Sequence, residues 1–306
     1  MSPARRVKDS LVKTIFFGNY FYGICAVALS IEASLQQEFP LNSLVYYALV
    51  FLGAVFYYTV AYLGEPSPDV GNERTRWYAA NMQRIRRRQW VLGILILIFA
   101  GLFVKDIWWQ FLWAPAFYWF MVFVFPVVAA LYYGISTKRG GLNLRRVGWL
   151  KPFIIGFTWA GVVTVYPVLF YNIREANDFE PAFKNGLLFV KNFMFVSVLC
   201  ILFDIKDYAT DANQRLKTFV VNTGLRKTIF YIIIPLSTIG MGAFLVYAMS
   251  HHFSTLKILL NTIPFVLLIA VAYSLHRRRS ILYYLIIIDG LMLVKALCGS
   301  IAMAYF

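Results

Sequence analysis

Apolar residues in this chain run in long unbroken blocks and do not alternate with polar ones. Such blocks predict membrane-crossing helices, which satisfy their backbone hydrogen bonds internally; the strands of a barrel would alternate with period two. Nine candidate spans fall at about 14–35, 41–63, 90–105, 109–133, 151–171, 186–203, 227–249, 255–275 and 280–303. The shorter ones can be lengthened by flanking Trp and Tyr at the interface, or by helix that projects into water. The pattern therefore predicts an all-α, polytopic membrane protein of about nine transmembrane helices. One transmembrane domain covers 1–306, with a basic connection at 64–89 and an acidic one at 204–226. No stretch outside the blocks is long enough to bury a core of its own.

Composition agrees with that pattern. The chain is 60% hydrophobic and only 14% charged, against about 25% charged in soluble proteins. Its net charge is +15. In a membrane protein this reads as basic loops on the cytoplasmic side and contact with membrane lipid, not as a nucleic-acid partner. Most of the 29 Lys and Arg lie before the first block or in connections after even-numbered ones, among them Arg5, Arg6, Arg84, Arg86, Arg87, Arg88, Lys138, Arg139, Arg277 and Arg279. That bias puts the N-terminus inside and both connections, 64–89 and 204–226, in the cytoplasm, in a membrane read as the bacterial inner membrane. The first block follows Arg5, Arg6, Lys8 and Lys13 without a small-residue cleavage site and reads as the first span. Cys25, Cys200 and Cys298 lie inside apolar blocks with no metal-ligand spacing and read as packing residues.

The acidic connection carries the most specific chemistry. Asp204, Asp207 and Asp211 are three of only 14 acidic residues and follow directly on an apolar run. If the helix continues past Phe203, offsets of three and seven place them on one stripe. Three carboxylates on one stripe repel each other, and a divalent cation relieves that repulsion. Mg²⁺ favours a few carboxylates together with the oxygens of a substrate phosphate. The bland alternative is a solvated helix end neutralised by Lys206 and Arg215.

The segment Asp207-Tyr-Ala-Thr-Asp211-Ala-Asn-Gln-Arg215-Leu-Lys-Thr218, with Asp204 and Lys206 leading in, resembles the second aspartate motif of the UbiA-type intramembrane prenyltransferases. Lys151-Pro-Phe-Ile-Ile-Gly-Phe-Thr-Trp-Ala-Gly161 is similar to that family's fifth span. The resemblance implies a nine-helix bundle with acidic loops after spans two and six. It implies a polyprenyl diphosphate held by Mg²⁺ between two aspartate motifs, and transfer of the prenyl group to an aromatic or lipid-like hydrophobic acceptor. On it, Asp207 and Asp211 would be the catalytic metal ligands, with Asp204 in support and Glu65 or Asp69 as a second site. Two departures stand out. Pro66 and Pro68 break regular helix between Glu65 and Asp69, and Arg215 replaces the motif glycine.

Basic residues near these segments can hold the diphosphate or simply anchor the loops: Arg74 and Arg76 after span two, Lys217 and Arg215 in the acidic connection. Lys191 and Asn192, polar groups inside the sixth block, can line the chamber or make a structural hydrogen bond. Asp289 and Lys295, six apart, do not share a face and carry no assigned role. Two rival readings remain open at this level. One is a non-catalytic isoprenoid- or lipid-binding or assembly protein of the same fold. The other is a small-molecule transporter that uses the polar groups at membrane depth.

Overall fold

The computed structural model describes residues 11–63, 73–133, 147–176, 183–213, 217–277 and 279–306. Among them there is helix and no strand. In chain order the helices are α1 (Leu11–Phe17), α2 (Tyr20–Gln36), α3 (Leu44–Val60), α4 (Glu73–Leu112) and α5 (Ala116–Tyr133). There follow α6 (Lys151–Arg174), α7 (Phe183–Asn213), the short α8 (Phe219–Thr223), α9 (Leu225–Ser250), α10 (Thr255–Ser274) and α11 (Ile281–Tyr305).

Six of these are long and apolar enough to cross a membrane, and a seventh crossing counts if α1 and α2, bent by 61°, form one span. The expected second and fourth spans appear as shorter apolar helices, Leu44–Val60 and Ala116–Tyr132. Nine full-length spans are therefore more than the helix lengths show. The basic segment from Glu73 onward has helix-forming composition and is helical. It opens α4, a single helix of 40 residues, about 60 Å long at the usual rise per residue. Likewise the acidic segment is helical through Asn213, the end of α7.

Local sequence explains the starts. Ser43, Thr218, Ser254 and Ser280 each accept a backbone N–H three residues on, so each caps the helix that follows. The α1–α2 bend sits at Asn19, whose φ of 67° is left-handed. Asn tolerates that conformation better than most side chains. It also satisfies itself there: buried Asn19 donates to Thr59 Oγ1 and to the Tyr78 hydroxyl, both at 3.0 Å, and accepts from Arg74 Nη2. One residue thus ties the bend to α3 and α4.

Helix α2 runs inside the bundle, packed on α3, α6 and α11. The main core is built from Leu29, Trp159, Val163, Leu199, Phe265 and Met292 among others. Glycines permit the closest approaches. A Cβ at Gly161 would sit 2.1 Å from the Phe125 ring, and one at Gly156 would sit 2.2 Å from Ser197 Oγ.

A second buried centre is ionic. Glu32 on α2 accepts from Lys191 Nζ at 3.2 Å and Lys295 Nζ at 2.6 Å, and all three side chains are essentially inaccessible. Lys191 also donates to Gln36 Oε1 at 3.1 Å and Asn261 Oδ1 at 3.0 Å. Gly299 leaves the room that Glu32 needs, since a Cβ there would lie 2.5 Å from its carboxylate. Helices α2, α7, α10 and α11 meet at this cluster.

Candidate functional site

Two adjoining cavities share the walls Tyr57, Tyr58, Tyr132, Ile155 and Trp159. The first, about 400 Å³, is lined almost entirely by carbon, from Ala26, Leu49, Gly53, Phe103, Val162 and Phe170 among others. The second, about 210 Å³, is the more polar of the two: Arg74, Lys151, Lys206, Asp207, Asp289 and a set of tyrosines line it beside apolar side chains such as Val196, Leu199 and Met292. At the junction Trp159 donates its indole N–H to the Tyr58 hydroxyl at 2.6 Å, and Tyr58 stacks on Tyr22 with centroids 4.3 Å apart. Tyr57 donates to the Ala129 carbonyl at 3.0 Å. The aromatic collar is therefore fixed by hydrogen bonds and not only by packing.

Each charge in the polar cavity has a traceable position. Arg74 in the first turn of α4 is buried, stacks 4.5 Å over the Tyr62 ring and is held by Asn19. Lys151 opens α6 and pairs with fully buried Asp204 at 2.9 Å. On α7, Lys206 pairs with Asp207 at 2.8 Å. Asp289 follows a turn of π-helix, Tyr284–Ile288, where its N–H bonds the Tyr284 carbonyl at 3.1 Å. The wider turn re-aims that stretch of α11, and Asp289 lines the cavity together with Tyr22.

The sequence-predicted residues are distributed unevenly. Helix α7 continues through the acidic stripe, as the spacing requires. Only Asp207 of the three aspartates lines the polar cavity. Asp204 is turned to Lys151, and Asp211 is buried on the same helix. One oxygen of each, Asp204 Oδ2 and Asp211 Oδ2, has no hydrogen-bond partner among the described residues. Burial pushes the Asp211 carboxyl up to about 6, opposed by Lys151 and reinforced by the negative charge of Asp204 and Asp207.

Arg74 lines the cavity; Arg76 and Lys217 are exposed and are not among its lining residues. Thr218 caps α8, with its hydroxyl 3.4 Å from Val221 N. Glu65, Asp69 and Arg215 lie outside the described residues. Of the two alternatives for Lys191 and Asn192, chamber wall or structural hydrogen bond, the contacts are those of the second, and neither residue lines either of the two cavities. Lys191 belongs to the Glu32 cluster, and Asn192 donates to Thr164 Oγ1 at 2.7 Å. A lysine buried in apolar surroundings must find acceptors, and the nearest are on α2 and α10.

Lys151 as a partner of the acidic stripe and Tyr22 escaped the sequence reading, which marked Asp289 as a polar group within a span but gave it no role. Lys151 stands at the head of the motif-like fifth span, and that position was the one available signal. Asp289 needed the π-turn, which no periodicity reveals.

Magnesium fits the described residues poorly. Among them no three His, Cys, Asp or Glu side chains converge to hold a metal ion. Asp204 and Asp207 already face ammonium groups at 2.9 and 2.8 Å. The two unpartnered oxygens on Asp204 and Asp211 are suitable donor atoms, but they do not make a ligand set by themselves.

No protein-family model matches the chain, and no curated protein matches it in sequence. A solved structure of a digeranylgeranylglyceryl phosphate synthase in membranes does match, at 13% identity and a TM-score of 0.57, with 98% of this chain and 100% of that chain covered. At that identity the likeness is one of fold alone: these helices share the overall arrangement of that synthase.

Proposed function

We propose that this protein transfers an isoprenoid group, within the membrane, from a prenyl diphosphate to a lipid-like hydrophobic acceptor. The observation that carries the reading is the junction of a cavity that holds Arg74, Lys151 and Lys206 with a larger apolar one. A prenyl diphosphate has that same division, a multiply charged head on a hydrocarbon tail. In the reaction the bond between the first prenyl carbon and the bridging oxygen breaks. The diphosphate leaves with the electron pair, an acceptor atom supplies the new bond, and the acceptor loses a proton.

Arg74, Lys151 and Lys206 neutralise the charge that grows on the leaving group. The Tyr58 and Trp159 rings line the junction where the allylic carbon lies, and aromatic faces attract a cation. Asp289, with Tyr22, receives the acceptor proton. The apolar cavity keeps water from the carbocation. Placement in a bacterial inner membrane, with the basic end of the bundle in the cytoplasm, is part of the proposal and rests on the positive-inside bias. Each of these side-chain roles belongs to the chain's own residues, beside any Mg²⁺ that the site would hold. Glu65 and Asp69, which would complete its site, lie outside the described residues.

The test uses purified protein in nanodiscs with tritiated geranylgeranyl diphosphate and a bacterial lipid extract. Tritium should appear in the lipid fraction, in proportion to the pyrophosphate released. Neither product nor saturable donor binding, against empty nanodiscs, ends the proposal. One observation favours a second reading: Asp204 and Asp207 are paired with lysines, and the described carboxylates are not arranged as metal ligands. On that reading the protein binds isoprenoids without turning them over, and donor binding without pyrophosphate release would establish it. A transporter is less well served, because Lys191 is locked into a fully buried cluster instead of lining a path.

A further inference from the structure

A glycine inside a helix is less favourable than alanine, so an interior glycine calls for a reason. At Gly23, Gly156 and Gly161 the reason is close packing, with a Cβ meeting neighbours at 2.6, 2.2 and 2.1 Å. Gly53, in the middle of α3, differs. A Cβ there meets nothing within 4 Å, its φ is not positive, and it lines the apolar cavity. Its missing side chain is cavity volume.

The helix also gives the position of that volume. Tyr57 and Tyr58, at one end of α3, line both cavities, whereas Tyr46, near the other end, lines only the apolar one. Gly53 lies about 6 Å along the axis from Tyr57 and about 10 Å from Tyr46. Around Tyr46 the lining is aromatic. Phe170 stands 5.2 Å from Phe103, 5.3 Å from Tyr166 and 6.0 Å from Tyr46, centroid to centroid. Tyr166 is fixed by a 2.6 Å hydrogen bond to the Val122 carbonyl.

We infer that Gly53 gauges the length of the isoprenoid tail: it leaves the cavity passable at its midpoint, and the Tyr46–Phe103–Tyr166–Phe170 group forms the floor. This rests on the prenyl-diphosphate reading above and adds which residues select the chain. Gly53→Leu places a branched side chain across the passage while raising helix propensity, so the variant is expected to fold. Phe170→Leu lowers the floor without emptying it.

The experiment measures binding of geranyl, farnesyl and geranylgeranyl diphosphate and of inorganic pyrophosphate to wild-type and variant protein in nanodiscs, with Mg²⁺ present throughout. Gly53→Leu should weaken geranylgeranyl diphosphate at least about tenfold relative to geranyl diphosphate and leave pyrophosphate unchanged. Phe170→Leu should move preference toward the longer chain. An unchanged length preference in Gly53→Leu, with wild-type binding intact, overturns the gauge and leaves the proposed function standing. Equal weakening of pyrophosphate also overturns it, since the residue would then act through the head site. Wild-type protein that binds none of the three prenyl diphosphates removes the parent reading and the gauge together.

Discussion

At the scale of the residue, the buried charges decide most. Glu32 is the only carboxylate, among the described contacts, that bonds Lys191 and Lys295. Removing one partner of a buried ion pair leaves charge uncompensated, at a cost of roughly 3–5 kcal/mol. Glu32→Gln leaves two ammonium groups facing one amide. Its melting temperature in detergent should fall sharply, and Glu32→Gln with Lys191→Met and Lys295→Met should recover most of the loss. Equal stability of Glu32→Gln and wild type would mean that the cluster is not an ionic staple. Asp211 makes the opposite case, a carboxyl with no bonded partner for one oxygen. Its folded value, about 6, exceeds the usual aspartate value of about 3.9. Between the two, the folded state holds a proton that the unfolded chain has lost, so this residue's contribution to stability falls as pH rises across that window. Asp211→Asn removes the decline. In EDTA buffer, the difference in melting temperature between the variant and wild type should therefore grow in the variant's favour from pH 4 to pH 6.5. A constant difference would place Asp211 in water.

At the scale of the element, the long periodic features of the sequence were legible and the irregular ones were not. Continuous apolar blocks gave the helices, and offsets of three and seven gave an acidic stripe on a helix that does continue to Asn213. Helix identity survived because burial of an apolar surface and internal backbone bonding demand it anywhere in the block. The bend at Asn19 and the π-turns before Tyr166, Ile234 and Asp289 had no such signature. They depend on what a side chain meets from other helices. So does the fate of Lys191: the sequence shows a costly charge, but only packing shows that Glu32 answers it. The bend carries its own prediction. Asn19→Ala loses the bonds to Thr59, Tyr78 and Arg74 and keeps a left-handed residue with a Cβ. Asn19→Gly loses the same bonds and relieves the backbone by about 1–2 kcal/mol. Melting temperatures should rank wild type, then Gly, then Ala, and both variants should bind pyrophosphate more weakly because Arg74 loses its anchor. Alanine equal to glycine would show that the turn is not held in that conformation.

At the scale of the whole molecule, the bundle joins two solvents. Its larger cavity is walled by apolar side chains, and the adjoining one gathers Arg74, Lys151 and Lys206 against Asp207 and Asp289. Since Asp204 also balances Lys151 from behind, the head site is not strongly positive, and an anion entering it must displace existing pairs. Lys206 can exchange Asp207 for a phosphate oxygen at little cost, because that pair is part-exposed and exposed pairs contribute only about 0–1 kcal/mol. Arg74 is already desolvated and positioned, so it gains from the exchange. These cations should therefore hold inorganic pyrophosphate without a metal, though weakly. In EDTA, pyrophosphate should raise the melting temperature by mass action. The rise should shrink as salt is added, because part of the site is solvent-screened, and Lys206→Gln should reduce it. Were the rise to appear only when Mg²⁺ is restored, the headgroup would be held through a metal whose ligands include residues beyond the described set, with Glu65 and Asp69 the first to substitute.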